Sequence, residues 1–163
     1  MLQAVQLDGF DLKILAALQR DGRLTNQELA DKVGLSSSQC SRRRVGLEER
    51  GVIRGYPAQL APERLGLGVT VFTQVTLARH SPDNARRFAD LVRRLDFVLE
   101  AHALTGDADY LVKMIVPDLP TLSEVVNEHL LPHESVANVR SAVVLQTLKE
   151  GTALPLVWVT AHP

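Results

Sequence analysis

The sequence predicts an α+β protein in which three helices precede a second part built in the order βαββαβ. Three observations predict this class. Within the first 50 residues the apolar positions follow a helical period, and each apolar run is preceded by a helix-capping signal. After residue 68 the apolar period shortens to two, which is the repeat of a strand. Residues 57–68 hold two prolines and two glycines, a composition typical of a linker.

The predicted first helix begins after Asp8, a good N-cap residue, and ends at Asp21 and Gly22. Its apolar positions lie along one side of the helix, as expected for a face that packs on a core. This stripe consists of Leu7, Phe10, Ile14, Leu15 and Leu18.

The second and third helices each open on a capping box, in which Ser or Thr is followed three residues later by Glu or Gln. The pairs are Thr25 with Glu28 and Ser36 with Gln39. Each box satisfies backbone N–H groups that would otherwise lack a partner, so both pairs mark helix starts. The two helices end at Gly34 and Gly51.

The second part alternates strands and helices in the order of the ferredoxin-like fold. Its elements are a strand at 69–77, a helix from Ser81 and Pro82, strands at 97–104 and 110–116 joined by a turn at 105–109, a helix from Asp118, and a strand at 136–148. Pro155 disfavours a central strand in the remaining tail. The sequence therefore predicts a helical domain at 1–56, a linker at 57–68 and a ferredoxin-like domain at 69–163.

Composition limits the classes of protein that this chain can belong to. Hydrophobic residues make up 45% of it, and a single Cys excludes an internal disulfide. The formal net charge is −1, so any nucleic-acid surface must be a local patch. Residues 1–60 hold nine Lys and Arg against seven acidic residues, whereas the rest of the chain holds nine against twelve. Without a secretory leader or an apolar run of roughly 18 residues, we expect a cytoplasmic protein that does not enter a membrane.

The second and third helices have the features of a helix-turn-helix that binds double-stranded DNA. Ala30 and Gly34 allow the two helices to approach, while Cys40 and Leu47 share the inward side of the third helix. The opposite side offers hydrogen-bonding groups for bases and phosphates. The predicted contacts are Thr25, Gln27, Ser37, Ser38, Gln39, Arg42 and Arg43.

An alternative remains for the arginine run at 42–44, because most charge runs are simply solvated helix faces. Arg44 follows Cys40 by four residues and is expected to point toward the core, with its stem along the core edge. Gly46 is unusual in a helix interior, where it costs about 1 kcal/mol relative to Ala. Arg42 and Arg43 are therefore the pair expected to face DNA.

The residues resemble the leucine-responsive and asparagine-regulator (Lrp/AsnC) family of transcriptional regulators over nearly the whole chain. The matching stretches are LDGFDLKILAALQRDGR, TNQELADKVGLS, RRRVGLEERGVIRGY, LGLGV and TGDADYLVKMIVPDLP. The resemblance implies a winged helix-turn-helix followed by a ferredoxin-like domain that binds a small effector, typically an amino acid. It also implies dimers formed through the sheets, and octamers or similar rings of dimers. Residues 44 and 46 depart from the family pattern, which leaves the target DNA sequence open.

The resemblance also implies an effector site at the predicted hairpin. Gly106 and Asp109 match the family's Gly-x-x-Asp turn, Leu104 would line a side-chain pocket, and Gln146 matches a polar position on the last strand. A carboxylate complements an ammonium group, and free N–H groups complement a carboxylate. The alternative is that Asp107 and Asp109 only shape the turn and bind no effector.

No catalytic, metal-binding or cofactor-binding motif is recognisable, so we expect no enzyme, no metal and no cofactor. An alternative to a DNA-binding regulator is a ferredoxin-like module that binds a metabolite and regulates a protein partner without DNA. Substitution of both Arg42 and Arg43 would distinguish the two, because only the regulator would lose its function.

Overall fold

The computed structural model describes residues 5–151 and 153–159, which form two compact units. We call them the helical unit, residues 5–59 together with the described residues of 149–159, and the sheet unit, residues 60–148. The described residues after 148 group with the helical unit, whereas the sequence predicts that they belong to a ferredoxin-like domain of residues 69–163. The predicted linker at 57–68 contains a short 3-10 helix at Pro62–Leu65.

The helical unit consists of α1 (Gly9–Arg20), α2 (Asn26–Val33) and α3 (Ser37–Glu49). The predicted capping boxes at Thr25 and Ser36 are both present, and Asp8 forms a third with Asp11. Gly34 ends α2 with a φ of 77°, a left-handed conformation that glycine adopts without steric cost. The buried core residues are Leu7, Ile14, Leu15, Leu18, Leu24, Leu29, Ala30, Val33, Cys40 and Leu47.

No paired strand forms at residues 52–56, which follow α3, although the resemblance implies a wing. The segment after α3 is irregular, although its first N–H groups remain tied to the helix end. Val52 and Ile53 both donate to the Leu47 carbonyl oxygen, at 2.9 and 3.1 Å. This part of the helical unit is therefore held by α3 and not by a sheet.

The sheet unit has the predicted ferredoxin-like order. Its four antiparallel strands lie in the order β2-β3-β1-β4, and two helices cover one face. The elements are β1 (Val69–Leu77), α4 (Pro82–Arg93), β2 (Val98–Ala103), β3 (Tyr110–Val116), α5 (Leu119–Val125), which continues as a π turn at Val126–Leu130, and β4 (Val136–Val143).

Alternate residues of the sheet point to its two faces. Val71, Val75, Val112 and Met114 are fully buried under the helices, together with Phe88 of α4. The other face has no helix in the sheet unit, and its centre is formed by Phe72, Leu111, Lys113, Ile115 and Arg140.

The last strand is shorter than predicted. β4 ends at Val143, and Val144 makes the final ladder bond, donating to the Thr70 carbonyl oxygen at 2.9 Å. β1 begins at Val69, so later residues have no strand to pair with. Gln146, predicted on the last strand, instead lies in an exposed irregular segment. None of the described helices is long and apolar enough to cross a membrane.

Candidate functional site

The outward side of α3 is the candidate nucleic-acid interface. Ser38, Gln39 and Arg42 are exposed there, whereas Cys40 and Leu47 are fully buried on the opposite side. Burial raises the pKa of the Cys40 thiol, which keeps it protonated and inert. The predicted inward positions of Cys40 and Leu47 are thus confirmed.

Gln39 is exposed, but its side-chain carbonyl is engaged. The Oε1 atom accepts from the Ser36 backbone N–H at 2.9 Å and from the Ser36 hydroxyl at 3.0 Å. Bidentate recognition of adenine needs both the amide oxygen and the amide nitrogen. Gln39 would therefore have to break its capping box to read adenine, although its Nε2 group can donate without that loss.

Arg43 differs from the prediction, because it is held inside the helical unit. Its Nη1 atom lies 2.7 Å from Asp8 Oδ2 and 2.8 Å from Asp11 Oδ1, and Arg50 approaches Asp11 at 3.5 Å. Burial alone would lower the pKa of Arg43, but its hydrogen bonds to the two carboxylates outweigh that effect and raise it. The pair joins the start of α1 to the middle of α3. This geometry indicates that Arg43 positions α3 and does not read bases.

Arg44 points into the unit, as predicted. Its Nη1 donates to the Leu24 carbonyl oxygen at 3.0 Å, and its Nε donates to the Tyr56 hydroxyl at 2.9 Å. The guanidinium also lies over the Tyr56 ring, 4.4 Å from the centroid. Arg42 is the exception in the arginine run: among the described residues it makes no hydrogen bond and no ion pair, and it is exposed.

Thr25 and Gln27, the predicted phosphate contacts at the start of α2, are exposed but partnered. The Thr25 hydroxyl donates to Glu28 Oε2 at 2.8 Å, and Gln27 Nε2 donates to Asp31 Oδ1 at 3.3 Å. Ser37, at the start of α3, is half-buried. Thr25 can donate to a phosphate only by releasing Glu28, whereas Gln27 Nε2 keeps a second N–H for a new acceptor.

The sheet unit has an open groove of about 380 Å³ at the end of β1. Small-molecule sites are typically about 300–1,000 Å³, so the groove is near the lower limit. Two of the predicted effector residues, Leu104 and Asp109, lie in its wall. The lining residues are Leu77, His80, Ser81, Pro82, Ala85, Ala103, Leu104, Asp109 and Tyr110.

Asp109 is also part of the framework of the groove. Its Oδ2 accepts from the Leu77 backbone N–H at 2.7 Å, and its Oδ1 lies 3.2 Å from His80 Nδ1. The Asp109 carboxylate thus binds the N–H at the end of β1, and it can accept further hydrogen bonds because an ionised carboxylate has about four acceptor sites.

The other two predicted effector residues do not line this groove. Gly106 lies in the turn with a φ of 129°, a conformation that side-chain-bearing residues rarely adopt, and Gln146 follows the end of β4. Sequence reasoning missed His80 and Tyr110. Tyr110 directly follows Asp109 in the sequence, and the pairing of Val75 with Tyr110 brings the end of β1, with His80 after it, to Asp109. A predicted β1–β3 register could therefore have found His80.

Two family models match the chain. The AsnC-type helix-turn-helix domain matches residues 7–48, and the Lrp/AsnC ligand binding domain matches residues 70–154. The first match covers all of α1 and α2 and nearly all of α3, and the second covers the sheet and the groove.

Relatives and solved structures agree with these matches. The leucine-responsive regulatory protein of Escherichia coli strain K12 is 40% identical over 148 residues, which are 91% of this chain and 90% of the relative. A transcriptional regulator from Neisseria meningitidis, solved as its L-Met complex, has a TM-score of 0.90 at 43% identity and covers 93% of this chain and 97% of its own. The AsnC structure from E. coli has a TM-score of 0.83 at 26% identity, with coverage of 91% and 98%.

Proposed function

The chain belongs to the Lrp/AsnC family of transcriptional regulators, and from this premise we propose that α3 reads double-stranded DNA in the major groove while the sheet unit joins copies of the chain and senses an amino acid. The family consists of transcriptional regulators and not of enzymes. We place its action in the cytoplasm, where its DNA target lies.

One observation carries the DNA-binding role: Arg42 is exposed in the middle of α3, while Arg43 and Arg44, the two residues that follow it, hold α3 in place. An arginine without an internal partner can bind guanine or a phosphate without losing an existing contact. Ser37, Ser38 and Gln39 precede it on the same helix, where N–H groups and hydroxyls suit phosphate oxygens. Thr25 and Gln27 are the proposed phosphate contacts from α2.

DNA binding is tested by selecting target fragments and measuring their affinity for the parent chain and for Arg42→Ala. We expect the variant to lose about 1–3 kcal/mol of binding free energy if Arg42 reads a base. If Arg42 contacts a phosphate, the slope of log affinity against log salt concentration should decrease in magnitude by about one. Arg86→Ala, which removes an exposed arginine from the sheet unit, is the charge-matched control. Binding of every fragment at the non-specific level by the parent chain would contradict the proposal.

Association of copies is supported by the open face of the sheet. One recognition helix reads few base pairs, and two-fold dimers place two of them one helical turn apart. Phe72, Leu111 and Ile115 form an apolar centre on the face without helices, with Phe72 39% exposed. We propose dimers through this face and an octamer or similar ring of dimers. Phe72→Glu should give monomers in light scattering, whereas an unchanged mass would exclude this face.

The effector is proposed to be an amino acid, with its ammonium group at Asp109 and its side chain against Leu104. Gly106 would offer a backbone N–H to the carboxylate, and Gln146 a polar contact. The L-Met complex of the Neisseria relative supports testing methionine first. A thermal-shift screen of the amino acids should reveal one that raises the melting temperature of the parent chain but not of Asp109→Asn. No shift with any of them would remove the effector role and leave the DNA-binding role untouched.

A further inference from the structure

We propose that residues 154–156 are a docking segment that binds a groove on the helical unit, so that the chain end gives this unit a second link to the sheet unit. The first link is the linker at 57–68. The second runs from the end of β4 at Val143 to the docked segment, and it has no role in the proposed reading of DNA or sensing of an effector.

A side-chain amide holds the segment by its backbone. Gln19 of α1 accepts the Leu154 N–H on its Oε1 at 2.6 Å and donates its Nε2 to the Leu154 carbonyl oxygen at 3.3 Å. Both backbone groups of one residue are thus bound by one side chain 135 positions away. Backbone hydrogen bonds of this kind provide affinity in peptide recognition, because an extended segment otherwise leaves these groups to water.

An apolar anchor follows the clamp. Leu156 packs against the core of the helical unit and is half-buried, while Val157 and Trp158 beside it are each 84% exposed. Leu156 opens a short 3-10 helix at Leu156–Trp158, which turns Leu156 toward the core while Val157 and Trp158 stay in solvent. The segment therefore has one face in the groove and one face in solvent.

The groove is formed by α1 and the irregular segment that follows α3. A cavity of about 570 Å³ lies there, lined on the unit's side by Leu15, Leu18 and residues 52–57 and on the other by Leu154 and Leu156. Residues 52–57 have no strand partner in the described part of the chain, and they line the same cavity as Leu154 and Leu156. The occupant is this chain's own tail.

The test measures amide hydrogen exchange at Leu154 by NMR in the full-length chain. Gln19→Ala should lower the protection of this amide about five-fold for each hydrogen bond lost. Leu156→Ala should also lower it, because it removes the anchor, whereas Val157→Ala, a matched change on the exposed neighbour, should leave it unchanged. All three positions lie outside the buried core, so circular dichroism should report the parent helix content in each variant.

A second readout uses Trp158, the only tryptophan. In the parent chain, its fluorescence anisotropy should decay at the rate at which the folded protein tumbles. In the double variant Gln19→Ala/Leu156→Asp, most of the anisotropy should decay on a sub-nanosecond scale, roughly that of a free segment. Equal decays in the two proteins, or an unprotected Leu154 amide in the parent, would overturn the proposal. Protection that disappears when copies are separated by dilution would place the segment on a second copy and overturn the intrachain assignment. Neither readout uses DNA or effector.

Discussion

Charged residues have different roles in the helical unit and in the groove of the sheet unit. In the helical unit, Arg43 and Arg44 hold the structure while Arg42 between Ser41 and Arg43 is exposed and available to a ligand. In the groove, the single carboxylate of Asp109 both accepts the Leu77 N–H at the end of β1 and lines the cavity. Function and stability are thus carried by separate residues in the first region and by one residue in the second. Substitutions should separate the two properties in the helical unit but not at Asp109.

The largest expected effect comes from Arg43→Ala. Removal of its guanidinium takes the cation from Asp8 and leaves Asp11, which is only 5% exposed, with Arg50 at 3.5 Å. We expect a loss of about 2–3 kcal/mol in the free energy of unfolding, because two charge-assisted hydrogen bonds are lost and one of the carboxylates is buried. Urea denaturation followed by circular dichroism measures this loss.

Arg42→Ala is the adjacent control, and it should change the unfolding free energy by no more than about 0.5 kcal/mol. Equal losses for the two arginines would remove the distinction between a positioning and a reading residue on α3.

The arginine run also shows how far sequence reasoning reached. Capping boxes, the glycine at 34 and the strand periods are local signals, and they predicted their elements correctly except for the end of the last strand. The inward position of Arg44 followed from its spacing to Cys40. The partners of Arg43 lie 35 and 32 residues away, and no local pattern specifies which acidic residue meets which arginine.

The groove was harder to predict for the same reason. Asp109 was found through a family resemblance, but its bond to the Leu77 N–H depends on the pairing of β1 with β3. Gln146 was placed on a strand because the β-rich sequence continues past Val143, although its pairing partner has already ended. Pairing across strands is a long-range property, whereas residue pattern is a local one.

The second prediction concerns Asp109 itself. Asp109→Ala should lower stability by about 1–2 kcal/mol, because the Leu77 N–H loses its acceptor, and should also abolish the amino-acid thermal shift. Asp109→Asn retains an acceptor oxygen and removes the charge, so it should keep most of the stability and still lose the shift. An Asn variant that responds to the amino acid like the parent would show that the charge at Asp109 is not the ligand's partner.

The third prediction compares helix caps in the two units. Ser36→Ala should cost about 1 kcal/mol, since Ser36 accepts from the Gln39 N–H at 3.2 Å. Ser81→Ala at the start of α4 removes the same kind of bond, also at 3.2 Å, and should cost a similar amount. Only the first should alter DNA affinity, because it also releases the Gln39 side chain from its capping box. Altered DNA affinity in Ser81→Ala would mean that the cap acts through global stability.

The smallest effect concerns two acidic caps, Asp8 at α1 and Asp118 at α5. The pKa of Asp8 is below its ordinary value of 3.8 because the Asp11 backbone N–H and Arg43 favour the charged form, and burial opposes them. The pKa of Asp118 is lowered by the Thr121 backbone N–H and hydroxyl. A carboxylate with a lowered folded-state pKa stabilises the fold above its unfolded pKa, and this contribution is lost as the pH falls through the folded value.

Salt should separate these two caps. Part of the Asp8 shift comes from the charge of Arg43, which added salt screens, whereas the Asp118 shift comes from hydrogen bonds within its own turn. We therefore expect the Asp8 pKa, followed by carboxyl carbon NMR, to rise toward 3.8 between low and high salt while that of Asp118 changes less. Equal responses would imply that the pair between Asp8 and Arg43 contributes nothing in solution. The Asp11 contact alone would then have to hold Arg43, leaving α3 positioned by the more buried of its two carboxylates.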